Sequence, residues 1–123
     1  MPTDNTAHQM LREIHEQPQA IRETLAKEGA RIAATAAVLR ERKPRFVILA
    51  ARGTSDNAGT YLRYIVGAVN GMVVAPAAPS LLTVYGSHMH IEDTVVIGIS
   101  QSGKATDVIE VLEASRQLGA MTV

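Results

Sequence analysis

Two short segments place hydroxyl, amide and cationic side chains where a chain can organise chemistry. Ser100-Gln101-Ser102-Gly103-Lys104 follows the apolar run Thr94-Val95-Val96-Ile97-Gly98-Ile99. Arg52-Gly53-Thr54-Ser55 follows a second run, Arg45 to Ala51, whose sequence is Arg-Phe-Val-Ile-Leu-Ala-Ala. Unbroken β-branched and aliphatic runs of this length read as strands covered on both faces. A helical pattern begins after each turn: Val108, Ile109, Val111, Leu112, Ser115 and Leu118 in one case, Tyr61, Leu62, Tyr64, Ile65 and Val69 in the other. The turn between a buried strand and a helix suits an anion, because helix N-termini leave backbone N–H groups unpaired and carry partial positive charge. Serine hydroxyls add donors, and phosphate is the expected guest. The plainer reading is that Ser100 and Ser102 only turn the chain and cap the helix. One hydroxyl would serve for that, so two hydroxyls flanking an amide favour the site reading.

The elements that must hold these turns follow from the rest of the chain. Residues 1–6 are polar. From Ala7 to Gln17 the apolar positions Met10, Leu11 and Ile14 share one helical face. Pro18 permits a new helix start, Ile21 and Leu25 continue the stripe, and Gly29 is a break. An Ala-rich helix is expected from Ala30 to Arg42, ended by Lys43-Pro44. The helix after Ser55 closes at Asn70-Gly71. Met72 to Ala75 is a short strand, Pro79-Ser80 opens a short helix through Tyr85, and Ala120 to Val123 starts a fourth strand. The order is thus a helical arm, 1–44, then β-α-β-α-β-α-β over 45–123. Strands alternating with helices imply an α/β fold with a parallel sheet between two helix layers. In a flavodoxin-like strand order of 2-1-3-4, the first and third strands are neighbours whose helices leave on opposite faces. Ligands bind at that switch point, beyond the strands' carboxyl ends. Both hydroxyl-rich turns would then meet in one crevice. Neither has the spacing of a dinucleotide fingerprint or a lysine-bearing P-loop, so a small phosphorylated metabolite fits better than a nucleotide.

Composition narrows the classes further. With 123 residues, 46% of them hydrophobic, the chain is one domain in size, able to bury roughly two-thirds of its unfolded surface. Its formal net charge is zero, which argues against nucleic acid or an anionic membrane as partner. There is no cysteine, hence no disulfide framework and no Cys-ligated metal. No signal-peptide pattern or bilayer-spanning run is present, and a cytoplasmic protein is expected. One Phe and three Tyr are too few for base-stacking platforms. His88-Met89-His90 with Glu92 and Asp93 could be read as metal ligands, but there is no third partner at fixed spacing, so no metal and no cofactor are expected. Arg52 has two readings, a cation beside phosphate and a plain surface arginine.

Three motifs resemble the SIS (sugar isomerase) family, specifically the first SIS domain of the amino-sugar-phosphate isomerases and deaminases. This group includes the isomerase half of glutamine–fructose-6-phosphate transaminase. Met10-Leu11-Arg12-Glu13-Ile14-His15-Glu16-Gln17-Pro18 is similar to the segment that opens the isomerase module. Ala51-Arg52-Gly53-Thr54-Ser55-Asp56-Asn57-Ala58 resembles the first sugar-phosphate loop, and Ile99-Ser100-Gln101-Ser102-Gly103 the second. The resemblance implies that Ser55, Ser100, Gln101 and Ser102 hold the phosphate of a hexose or amino-sugar phosphate, with Gly53 and Thr54 in the first loop and Thr54 facing the sugar. Transaminases usually continue Ser-Gln-Ser-Gly-Glu-Thr, and that Thr also contacts phosphate. Here Ala105 holds its position, preceded by Lys104 and followed by Thr106, which a slight shift of the turn would bring to the phosphate. Arg52 stands where transaminases commonly have Cys. Both departures look more like the stand-alone deaminase-type members.

The resemblance further implies a homodimer or larger homo-oligomer, since family members build active sites at a dimer interface. In the family the Glu, His and Lys of proton transfer lie in a second SIS domain, so no catalytic residue is expected within these 123 residues. The sheet is expected to be incomplete, about four of five strands, as in a truncated SIS domain. The expected function is the substrate-binding part of an enzyme interconverting glucosamine-6-phosphate and fructose-6-phosphate, by deamination or by the reverse amination. The alternative is a non-catalytic SIS module that senses a sugar phosphate. A regulator of that kind would usually carry a DNA-binding helix-turn-helix upstream, and the arm has no basic patch.

Overall fold

In the computed structural model, the backbone is described from residue 4 and side chains from residue 7, both through residue 123. The chain divides into two units, residues 1–42 and 43–123.

The first unit is one helix, α1, Asp4–Arg42. The expected restart at Pro18 and break at Gly29 do not occur; the helix runs through both. Proline removes one backbone donor and crowds the preceding turn. Around it stand Ala, Leu, Gln, Glu and Arg, which lose little side-chain freedom in a helix. Pairs one turn apart add local support: Gln9 to Glu13 at 3.0 Å and Gln19 to Glu23 at 2.9 Å flank the proline. Arg31 reaches Glu28 at 3.0 Å just past Gly29. Such pairs stabilise a helix by about 0.2–0.5 kcal/mol each. Met10, Leu11, Ile14, Ile21, Leu25 and Ile32 are exposed along it.

The second unit alternates strand and helix: β1 Phe46–Ala51, α2 Thr54–Asn70, β2 Val73–Pro76, α3 Pro79–Thr83, β3 Thr94–Ile99, α4 Thr106–Gln117 and β4 Met121–Thr122. All pairings are parallel, in the order β2-β1-β3-β4. The two central strands are the two apolar runs, and Val47–Ala50 and Thr94–Val96 are buried. β2 sits one residue later than the sequence pattern indicates. Its last residue, Pro76, lies on an edge strand where a missing N–H is tolerated, and the Ala77 N–H donates to the Leu49 carbonyl at 2.7 Å.

Successive residues of a strand face opposite sides of the sheet. Ile48, Ala50 and Val96 therefore share one face, where they join Val108 and Val111 of α4 in the core cluster with Ile91 and Ala120. Leu49, Ala51 and Ile99 face the other way, toward Gly59 of α2, whose missing side chain lets the helix lie close. The two helices thus cover opposite faces of β1 and β3. Thr94, buried at the start of β3, donates its hydroxyl to the Ile91 carbonyl at 2.7 Å, so its burial leaves no polar atom unpaired.

Candidate functional site

Position at the sheet edge is set by register. Ala51 pairs with Ile99 at the carboxyl ends of β1 and β3, so Arg52 and Ser100 leave the sheet side by side. The first loop turns at once. Gly53 precedes α2 with φ 58° and ψ −128°, a conformation open mainly to glycine. The Ser55 N–H donates to the Arg52 carbonyl at 3.2 Å and the Asp56 N–H to the Gly53 carbonyl at 3.0 Å, which points the start of the helix back over the strand end.

The second loop is held by its own serines. Ser100 Oγ accepts the Gly103 N–H at 3.1 Å, and Ser102 Oγ accepts the Lys104 N–H at 3.1 Å. Neither hydroxyl caps α4: that helix begins at Thr106 after Ala105, and no side chain caps it. The serines shape the turn and keep their hydroxyl hydrogens available to a further acceptor.

Between the loops lies a cleft of about 330 Å³. It is lined by Thr54, Ser55, Ser100, Gln101, Ser102 and Thr106 of the sequence-derived set and by Arg52, for which the sequence left two readings, together with Ile99, Lys104, Ala105, Asp107 and Val108. Gly53 is the one expected site residue outside the lining; it shapes the turn beneath. Most of the lining polar groups are neutral donors or cations, a combination suited to an oxyanion.

Sequence reasoning left Lys104 out of the site and missed Asp107. Its Oδ2 accepts Arg52 Nη1 at 3.1 Å, across the cleft mouth and 55 positions along the chain. Its Oδ1 accepts the Val108 N–H at 3.1 Å in the first turn of α4. The hydrogen bond from Arg52 holds its carboxyl below the usual range; desolvation, the next-largest effect, opposes it, and the Val108 amide and the guanidinium charge add smaller lowering effects. An acidic residue in a first helical turn reads in sequence only as dipole compensation.

A second, mostly apolar cavity of about 300 Å³ lies under α3, lined among others by Phe46, Leu81, Leu82 and Met89. Among the described residues, no three His, Asp, Glu or Cys side chains gather as metal ligands. His90 Nδ1 stands 3.7 Å from Glu92 Oε1 on an exposed loop. Among the described residues no helix is long and apolar enough to cross a membrane.

The parallel sheet with helices on both faces makes this an α/β domain, and the family model described as "SIS domain" matches residues 39–123. The chain belongs to the SIS family. It is similar to glutamine–fructose-6-phosphate aminotransferase (isomerizing) of Symbiobacterium thermophilum, 37% identical over 93% of this chain and 20% of that protein. The Aquifex aeolicus enzyme of the same name is 34% identical over 94% of this chain and 19% of its own length. Among solved structures, a protein assigned as a phosphosugar isomerase from Silicibacter pomeroyi superposes with a TM-score of 0.87 at 37% identity, over 90% of this chain and 34% of that one. The C-terminal domain of glucosamine-fructose-6-phosphate aminotransferase from Francisella tularensis superposes with a TM-score of 0.70 at 27% identity, over 93% and 32%. The chain spans about a fifth of the length of the curated relatives it matches.

Proposed function

We propose that the cleft binds the phosphate of a hexose or amino-sugar phosphate, as the substrate-binding part of an enzyme that interconverts glucosamine-6-phosphate and fructose-6-phosphate. One observation carries the reading: Ser55, Ser100, Gln101, Ser102 and Thr106 line a single cleft at the carboxyl ends of adjacent parallel strands. The Ser and Thr hydroxyls and the Gln101 amide would donate to phosphate oxygens, and Thr54 would stand toward the sugar. The names of the related proteins support this ligand class. Ala105 in place of the transaminases' Thr, and Arg52 in place of their Cys, favour a deaminase-type reaction over amide-nitrogen transfer.

The role of the cleft is binding. Its carboxylate, Asp107, is tied to Arg52 and acidified, so it is a weak base at neutral pH. Proton transfer is assigned to groups beyond this cleft, and a homodimer or homo-oligomer in the cytoplasm is the proposed setting. The test is calorimetric titration with glucosamine-6-phosphate, fructose-6-phosphate and unphosphorylated glucosamine. Both phosphates should bind and glucosamine far less well, with Ser102→Ala weakening phosphate binding by about 1–3 kcal/mol, the worth of a hydrogen bond to a charged group. Equal affinity for the unphosphorylated sugar would end the phosphate reading.

A further inference from the structure

Arg52 and Asp107 form the ion pair that spans the two walls of the cleft, and both line it. We propose that Arg52 is a phosphate-binding cation of this site and that Asp107 is a built-in counter-anion, which the incoming phosphate displaces from Arg52. The inference rests on the sugar-phosphate reading above and adds the residue that sets selectivity for charge.

The geometry of Asp107 is that of an anion already seated. One carboxylate oxygen takes a guanidinium N–H and the other a backbone N–H in the first turn of α4, both at 3.1 Å. A phosphate oxygen at the same place would seek the same two donors. Arg52 is suited to changing partners. Its side chain is 79% exposed, and it gives one N–H to Asp107 out of the five in its fork. Exposed pairs of this kind contribute little net stability, so exchanging one acceptor for another costs little.

The charges match the exchange. Lys104 lines the same cleft and has no ion-pair partner among the described residues. While Asp107 holds Arg52, Lys104 stands as the uncompensated cation. When Asp107 turns away, Arg52 and Lys104 together face the ligand, and a phosphate monoester carries about −1.5 to −2 charge at pH 7. A neutral sugar has no means to displace Asp107, and the pair stays closed against it. An aspartate carboxylate is ionised at neutral pH, so the competition is between two anions.

The experiment is calorimetry on the 123-residue chain with glucosamine-6-phosphate and with inorganic phosphate as probes, alongside melting curves to verify folding. Arg52→Ala should weaken both roughly tenfold or more. Arg52→Lys, which keeps the charge and loses the fork, should recover part of that loss. Asp107→Asn should tighten both probes by about threefold or more, since it removes the competitor and its repulsion. The opposite signs are decisive. A pair that merely ties the loop to the helix would loosen the cleft in either variant, and both would bind more weakly. An Asp107→Asn protein with unchanged or weaker affinity overturns the inference, as does an Arg52→Ala protein with unchanged affinity. Failure of the unsubstituted chain to bind either probe removes the site itself, and this inference with it.

Discussion

Gly98 lies in β3 just before the second loop, and replacing it with alanine should loosen the element that carries that loop. A Cβ built there falls 2.8 Å from Leu112 Cδ1 and 2.9 Å from Val108 Cγ1, with Leu112 Cγ at 3.3 Å. Leu112 is half-buried and its terminal methyl can rotate away. Val108 is 5% exposed, and a β-branched side chain in a helix has one favoured rotamer, so it yields only if α4 shifts outward. Overpacking of this kind costs about 1–3 kcal/mol. Alanine recovers part of that, because glycine in a strand interior is worse by roughly 0.5–1 kcal/mol. The net expectation is a loss centred a little above about 1 kcal/mol, within a range of about 0–2.5 kcal/mol. In urea this should lower the unfolding midpoint by something on the order of 0.5–1 M, given the usual dependence for small proteins. A second consequence should follow in the ligand assay, since an outward shift of α4 moves Thr106 and Asp107 away from Ser55. A Gly98→Ala protein with a raised midpoint would refute the close helix–strand approach inferred here.

The other predictions concern neighbouring features. Gly59→Ala should do the reverse and stabilise by about 0.5–1 kcal/mol, because its Cβ meets Ala51, Leu49 and Ile99 at ordinary distances of 3.7–3.8 Å and alanine suits a helix interior; a lowered melting temperature would contradict this. Gly53→Ala meets no atom within 4 Å, yet its φ of 58° should make it cost about 1–3 kcal/mol of backbone strain, read as a lower urea midpoint. The lowered pKa of Asp107 means that its contribution to stability is fully present above the ordinary value of 3.8 and disappears as pH falls through the lower folded value. Because the pair is exposed, the effect is small: urea midpoints of the unsubstituted chain and Asp107→Asn should differ only slightly at neutral pH and converge in acid, and a gap that widens in acid would contradict the assignment.

Much of this was legible in the sequence because a parallel sheet writes its central strands as apolar runs. Val47–Ala50 and Thr94–Val96 are buried where those runs stand, and alternation with helices left few topologies open. The 2-1-3-4 order then brought the two hydroxyl-rich loops to one edge, and Ser55 lines the same cleft as Ser100 and Ser102. What escaped depended on context that no local pattern records. Pro18 reads as a punctuation mark, but in a 39-residue helix of strong helix formers it leaves only a local defect. The Arg52–Asp107 contact joins positions whose proximity arises from the β1–β3 register and from how close α4 lies. Gly98 is a glycine among β-branched residues, and the strand pattern alone does not show that a helix needs the space. The inward hydrogen bonds of Ser100 and Ser102 depend on loop conformation, which residue type leaves open.

The central claim is that the two loops form one phosphate site, and backbone amide chemical shifts followed by NMR during titration with glucosamine-6-phosphate test it most directly. Saturable shifts should concentrate at Ser55, Ser100 through Lys104, Thr106 and Asp107, with the residues around the apolar cavity under α3 unaffected. Shifts centred instead on Phe46, Leu81 and Met89, or confined to one of the two loops, would contradict it.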